Sequence, residues 1–433
     1  MKNRNVSIWV AQCLRLTLSS IFLFLLIFLY SCDNKSDIAN NQINVEEVVG
    51  SGAVLKLSDY ASDIQYIPLE TNEKSILGNI RDIAYEAEKI YVLDNKNVIK
   101  LFDNTGKYLS TIDRSGRGPE EYNRIVSFVP APHSNGVYIM DSSGDLFLYD
   151  QDGAFIEKKS LPKEEKIKVS SFLFMDTCIL TAAYSMNMKD LSGNIDHNIF
   201  LYNNSLNIID TKSFSQEGGI VTTMNGGAIA SITISIRPIY VHKYANQARF
   251  LFDGDDTIYT VNKEGVFKDA YVFNYGKYRH NDQEPDLITP IAESKFIKIS
   301  PPFFETENYL YLVFDFGENA PEKIESNSKS VNGNLMSQID TRVNAVFDKK
   351  SGKLKLLNRP TPEKRGFVED IKGGLPFWPA FMNSTGELIS YSNAFDIIDT
   401  VESDSLSSSF IKGIAAKLTE DDNPVVVIVK PKK

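Results

Sequence analysis

Short apolar runs alternate with polar turns along most of the chain, and two groups of them superimpose without a gap. Lys89-Ile90-Tyr91-Val92-Leu93-Asp94 stands 47 positions before Gly136-Val137-Tyr138-Ile139-Met140-Asp141. At the same offset Leu101-Phe102-Asp103 meets Leu148-Tyr149-Asp150, Gly106 meets Gly153, and Tyr108-Leu109 meets Phe155-Ile156. Each unit reads as a strand ending in Asp, a polar turn, a strand ending in aromatic-Asp, a glycine turn and a third strand. A period of two with apolar and polar positions alternating is the pattern of half-buried strands. At the turns, Asp accepts hydrogen bonds from nearby backbone N–H groups and Gly supplies positive φ.

Fainter copies follow at Ile199–Asn203, Thr257–Asn262, Asn344–Asp348 and Gly386–Ser390. Units of several strands recurring every 40–50 residues or so point to propeller blades rather than a helical solenoid. The fold class expected is all-β, a six-bladed β-propeller, with helices confined to short loop segments such as 393–402 and 407–417. The last apolar run, Val425–Val429, would be an aggregation-prone edge if left unpaired. Ile64–Leu69 precedes the first full unit and belongs to no repeat. The two are expected in one blade, so that the ring closes by an N-terminal strand pairing within the last blade.

The N-terminus has a different pattern. Lys2, Arg4 and Arg15 precede an uncharged apolar run from Leu16 to Ser31, and Cys32 follows. The run is shorter than the roughly 20 residues that span a bilayer and suits a signal peptide. Leu29-Tyr30-Ser31-Cys32 resembles the lipobox of bacterial lipoproteins, with an aliphatic residue at −3 and a small one at −1. The resulting division is 1–31 signal peptide, 32–55 lipidated N-terminus and flexible tether, and 56–433 a single propeller domain. Cys32 would carry the lipid and place the protein in the cell envelope, most naturally at the outer membrane. The competing reading is an uncleaved signal anchor.

Composition adds two constraints. Formal charge is −10 over 433 residues, and the three basic residues of the leader make the body more acidic still, which argues against nucleic acid as a partner. Of the three cysteines, Cys13 lies in the leader and Cys32 is the lipidation site. Cys178 is then left without an intramolecular disulfide partner, and reads as a small buried strand residue.

With these residues in hand, the chain resembles the six-bladed β-propeller lipoproteins of Bacteroidetes, related in architecture to NHL-repeat and TolB-like propellers. The resemblance covers about residues 60–433. It is carried by Tyr66-Ile67-Pro68-Leu69-Glu70-Thr71, Gly78-Asn79-Ile80, Ile90–Asp94 and Phe102-Asp103. Gly116-Arg117-Gly118-Pro119-Glu120-Glu121-Tyr122 stands where the family shows Gly-x-Gly-Pro-Gly-Glu-Tyr, with Glu120 in place of the third glycine, and Phe377-Trp378-Pro379 and Asp421–Pro424 also fit. It implies a surface or periplasmic binding protein in a glycan- or peptide-using lifestyle.

Candidate chemistry is sparse. The loop 116–122 is expected to join one blade to the next near the channel mouth. There Arg114, Arg117, Glu120, Glu121 and Tyr122 could meet a ligand; equally, Gly and Pro could shape a tight crossing with Tyr122 packed between blades. Trp378, with Phe377, Phe381 and Tyr391, could stack on a sugar ring or simply pack. His133, His197, His242 and His280 show no metal-ligand spacing, and no Gly-x-Ser-x-Gly elbow is present. Asp253, Asp255 and Asp256 lack a full calcium loop. No catalytic residue, metal or cofactor is assigned. A non-catalytic module binding a small molecule, glycan or protein is expected, the alternative being a hydrolase or lyase acting on a glycan or lactone with channel carboxylates.

Overall fold

The computed structural model describes residues 41–433 apart from 132–135, 163–166, 187–193, 217–219, 226–227, 235, 237–238, 253, 280–292, 330–334, 363 and 404–406. The leader with Cys32, together with His133, His280 and Asp253, therefore lies outside the described residues. No helix among the described residues is long and apolar enough to cross a membrane.

Six antiparallel sheets form a β-propeller. Blade 1 contains Ile80–Glu86, Lys89–Asp94, Ile99–Asp103 and Tyr108–Ile112. Blade 2 contains Ile125–Pro130, Gly136–Asp141, Asp145–Asp150 and Phe155–Ser160. Blade 3 runs from Ile167–Met175 through Cys178–Met186 and Ile195–Asn203 to Ile208–Gln216, and blade 4 from Ile239–Tyr244 through Gln247–Phe252 and Thr257–Val261 to Phe267–Asn274. Blade 5 pairs Lys298–Ile299 and Phe304–Glu305 with Tyr309–Asp315, followed by Arg342–Asp348 and Lys353–Leu357. Blade 6 orders Phe381–Met382, Leu388–Ser392, Val425–Pro431 and Ala61–Pro68. In that sheet Ile64 faces Val429, Tyr66 faces Val427 and Pro68 faces Val425.

The turn chemistry repeats as the residues dictate. Asp94 accepts from the backbone N–H of Gly78 and Lys96, and Asp141 from those of Ser143 and Asp145. Asp103 and Asp150 do the same one turn later, for Lys107 and Ala154. Gly106 has φ +88°, and a Cβ there would lie 2.0 Å from the Pro68 carbonyl oxygen. Only glycine lets blade 1 approach the 61–68 strand so closely.

Each blade buries one face against its neighbour, which is how the apolar half of the alternation is used. Tyr91, Leu101, Phe128 and Phe147 form the cluster between blades 1 and 2, and Met140, Phe172 and Phe200 that between 2 and 3. Leu180 and Phe250 join blades 3 and 4, Tyr271 and Phe347 blades 4 and 5, and Tyr311 and Val427 blades 5 and 6. Ile428 and Val426 of blade 6 meet Val92 and Phe102 of blade 1. Ile43 and Val45 are fully buried in the cluster between blades 4 and 5. Among the described residues, packing is thus already present at Ile43, within the 32–55 segment read from the sequence as a tether.

Two helices, Ala394–Ser403 and Ser409–Ala415, interrupt blade 6 close to the segments expected. Ser408 caps the second, its Oγ accepting from the Ile411 N–H. Cys178 is buried with a free thiol at the start of its strand.

Candidate functional site

The first strand of each blade contributes to one central cavity of about 670 Å³. These inner strands follow a common construction in blades 1 to 3. Each carries one extra residue, Arg81, Val126 or Ser170, where the register slips against the second strand. Such a bulge bends the strand and re-aims the residue beside it. Immediately after it come Asp82, Ser127 and Ser171, opposite Leu93, Met140 and Ala182. Leu93, Met140 and Ala182 are each the fifth residue of their strand. In blade 4 the fifth residue, Leu251, faces Tyr240. Four equivalent positions therefore carry polar side chains, and all four line the cavity.

Most of the remaining wall is apolar, including Ile83, Phe128, Phe172, Val241, Phe304 and Phe381. That setting governs the titrating groups. Burial pushes the Asp82 carboxyl up to about 7, against the opposing effects of a hydrogen bond from the Ile83 backbone and the charge of Arg81. Burial also holds His242 neutral, down at about 4, despite Glu305. The Tyr240 hydroxyl is raised far above its ordinary range by burial and then by Asp82. Tyr240 packs edge-on to Phe303 and Phe304. The Ser171 Oγ and His242 Nε2 are buried and have no hydrogen-bond partner among the described residues.

One end of the cavity is braced by a polar contact. Ser384 Oγ donates to Glu86 Oε1 at 2.6 Å, and the Ser384 N–H to Oε2 at 3.2 Å. A smaller cavity of about 260 Å³ shares Lys243, Asn383 and Ser384 with the channel at this end. Asp82 and Glu86 are four residues apart on one strand, about 13 Å at strand rise, so their carboxylates do not form a pair. No group of three or more His, Cys, Asp or Glu able to hold a metal occurs among the described residues.

The loop singled out in the sequence lies elsewhere. Tyr122 is fully buried between blades 1 and 2. Its hydroxyl donates towards the Asn97 and Ile112 carbonyls and accepts from the Arg114 N–H. Tyr149 packs edge-on to it and donates to the Glu120 carbonyl at 2.7 Å. Glu121 closes the loop by accepting from the Gly118 N–H at 2.8 Å. Arg114 reaches the Gly153 carbonyl, and Arg114, Arg117, Glu120 and Glu121 are exposed. None of these residues lines the central cavity. Trp378 stacks on Phe367 with centroids 5.6 Å apart and meets Tyr311 edge-on, in the cluster between blades 5 and 6. Of the aromatics grouped with it, only Phe381 reaches the channel wall. Asp255 accepts from the Tyr259 hydroxyl and Asp256 pairs with Arg279. His197 bonds Gln216 within blade 3.

The family profile described as Domain of unknown function (DUF4934) matches residues 40–430. The chain belongs to this family. Among solved structures, this DUF4934 chain is similar to a Bacteroides fragilis protein named as exported. The two are 17% identical, with 90% of this chain and 99% of the other covered and a TM-score of 0.59. It is also similar to a member of the duf4221 family from Bacteroides vulgatus, at 12% identity, 86% and 97% coverage and a TM-score of 0.43. At these identities the likeness establishes the fold alone. None of the curated proteins compared matches the sequence.

The channel residues escaped the sequence reading, although a signal for them exists. Ile80-Arg81-Asp82-Ile83-Ala84, Ile125-Val126-Ser127-Phe128-Val129 and Val169-Ser170-Ser171-Phe172-Leu173 share an apolar-x-polar-apolar-apolar pattern. They recur 45 and 44 positions apart instead of 47, so a gapless comparison passes over them.

Proposed function

We propose that this DUF4934 chain is an envelope lipoprotein, held by lipid at Cys32, whose propeller captures a small ligand in its central channel. The observation that carries the reading is the channel itself. It is a mostly apolar cavity of about 670 Å³ with a few polar groups at equivalent blade positions and two buried polar atoms that have no hydrogen-bond partner among the described residues. Small-molecule sites have this make-up, an apolar wall with a few placed polar groups that fix orientation. A hydrolase would need convergent acid–base groups, whereas Asp82, Glu86 and His242 are dispersed over three levels and two blades. The likeness to an exported Bacteroides protein and the lipobox-like Leu29–Cys32 support the envelope address. Products of glycan or peptide breakdown are then the first ligands to try.

The test is calorimetric titration of mono- and oligosaccharides, short peptides and small amphipathic compounds against the wild type and three variants. Ser171→Trp and Ser127→Phe narrow the channel, and Arg117→Ala alters the outer loop. Binding that is lost in either channel variant that still melts cooperatively supports the reading. Binding lost only in Arg117→Ala moves the site to the 116–122 loop. Turnover of a bound glycan or lactone into product would overturn the non-catalytic assignment.

A further inference from the structure

Resting on the channel-binding reading, we propose that Asp82 is the anchor of the site and selects ligands that carry a protonated amine on an apolar body. A carboxylate in an apolar wall is unfavourable unless an opposite charge or several donors meet it. Asp82 is only partly met: the charge of neighbouring Arg81 acts on it, but no ion pair to it occurs among the described residues, and its one donor is the Ile83 backbone.

The surrounding charged and titratable groups leave the position open. Arg81, next in sequence, spends its guanidinium on the Ile125 carbonyl at 2.9 Å, and Arg124 lies on the same side. Tyr240 and His242, both in the blade 4 wall, stay neutral, so neither repels a cation. Glu86 is held by Ser384, and Lys243 lies two residues beyond Tyr240's neighbour Val241, towards the Glu86 end. An ammonium group placed at Asp82 would meet its carboxylate inside the cavity, with the Ser171 Oγ and His242 Nε2 as further polar contacts for the ligand. The apolar remainder would lie along Phe128, Phe172 and Phe304.

Affinity should also depend on pH, because only the ionised carboxylate attracts the amine. Protonation of Asp82 reduces the competent fraction, and apparent affinity falls in proportion. With the Asp82 carboxyl at about 7, an amine that stays protonated throughout should bind about thirtyfold more weakly at pH 5.5 than at pH 8.

The experiment uses the full chain in lipid nanodiscs, with empty nanodiscs as the blank. Three probes share one phenyl body: 2-phenylethylamine, 2-phenylethanol and phenylacetate. The expected order is amine ahead of alcohol ahead of carboxylate, with the preference lost in Asp82→Asn, which keeps the shape of the side chain. Equal binding of the three, or a preference that survives in Asp82→Asn, would sink the anchor. If none of the three binds and the wider sugar and peptide panel also fails, the channel-binding reading itself falls. If sugars or peptides bind in the channel but without regard to charge, only the amine assignment does.

Discussion

Tyr122 is fully buried and Asp82 half-buried in an apolar wall, and the consequences are opposite because the Tyr122 hydroxyl has its hydrogen-bond partners while Asp82 has one backbone donor and no ion pair among the described residues. Tyr122 is fully buried with its hydroxyl engaged by Asn97, Ile112 and Arg114. Removing that hydroxyl leaves backbone groups underbonded, so Tyr122→Phe should cost about 1–3 kcal/mol in urea denaturation. Tyr122→Ala, which also opens a cavity between blades 1 and 2, should cost about 3–5 kcal/mol. A Tyr122→Phe protein as stable as the wild type would remove the hydroxyl from the account of this crossing. For Asp82 the sign reverses. Its carboxyl titrates near 7 in the folded chain, above the value of about 3.9 for an unfolded chain, so the folded state holds the extra proton between the two. The group therefore favours folding fully only below the unfolded value, and that contribution is lost as pH rises towards and through 7. Asp82→Asn should stabilise the fold at pH 8 by on the order of 1–2 kcal/mol after allowing for partial solvent access, and so raise the melting temperature. The difference should vanish near pH 4. Thermal melts across that range decide it, and a variant that is less stable at pH 8 contradicts the unpaired carboxylate.

Among the elements, the N-terminal strand has the clearest mechanical role. Ala61–Pro68 covers Val425–Pro431, whose valines are otherwise a free apolar edge. Deleting residues 1–69 should leave that edge open to pairing between chains, giving soluble aggregates in size-exclusion chromatography and a lower melting temperature. A monomeric, equally stable truncation would show that blade 6 stands without it. The same elements explain what was legible in the sequence. The second to fourth strands of blades 1 and 2 end in Asp and Gly turns whose chemistry is local, so they repeat visibly at Lys89–Ile112 and Gly136–Ser160. Inner strands have no such punctuation: a bulge shifts Asp82, Ser127 and Ser171 by one position, and unequal blade crossings break the 47-residue spacing. Blade 5 was harder still, because the hairpin of Ile324–Lys329 and Leu335–Asp340 is inserted between its second and third strands. The conspicuous loop at Gly116–Tyr122 proved to owe its glycines and tyrosine largely to packing. The channel wall, assembled from six distant segments, becomes visible only when the sheets are placed together.

For the molecule as a whole, the proposed envelope address turns on the N-terminus, whose two readings differ physically. The apolar run Leu16–Ser31 is short for a bilayer span, so as an anchor it would sit poorly in the hydrocarbon. Lipid on Cys32 would instead replace the run after its removal. One acyl chain gives only marginal binding and stable anchoring needs more than one, as bacterial lipoproteins of this pattern carry. Ile43 is packed in the body, with ten residues between it and Cys32. Ten residues span at most about 35 Å, so lipid on Cys32 would keep the propeller close to the membrane. In cells, Cys32→Ser should abolish incorporation of labelled fatty acid and prevent removal of residues 1–31, leaving a heavier precursor. The wild type should fractionate with membranes as a lipid-bearing chain starting at Cys32. If instead wild type and variant have the same full-length mass and both stay in the membrane fraction without label, the run is a signal anchor. The lipid at Cys32 would then have to be given up.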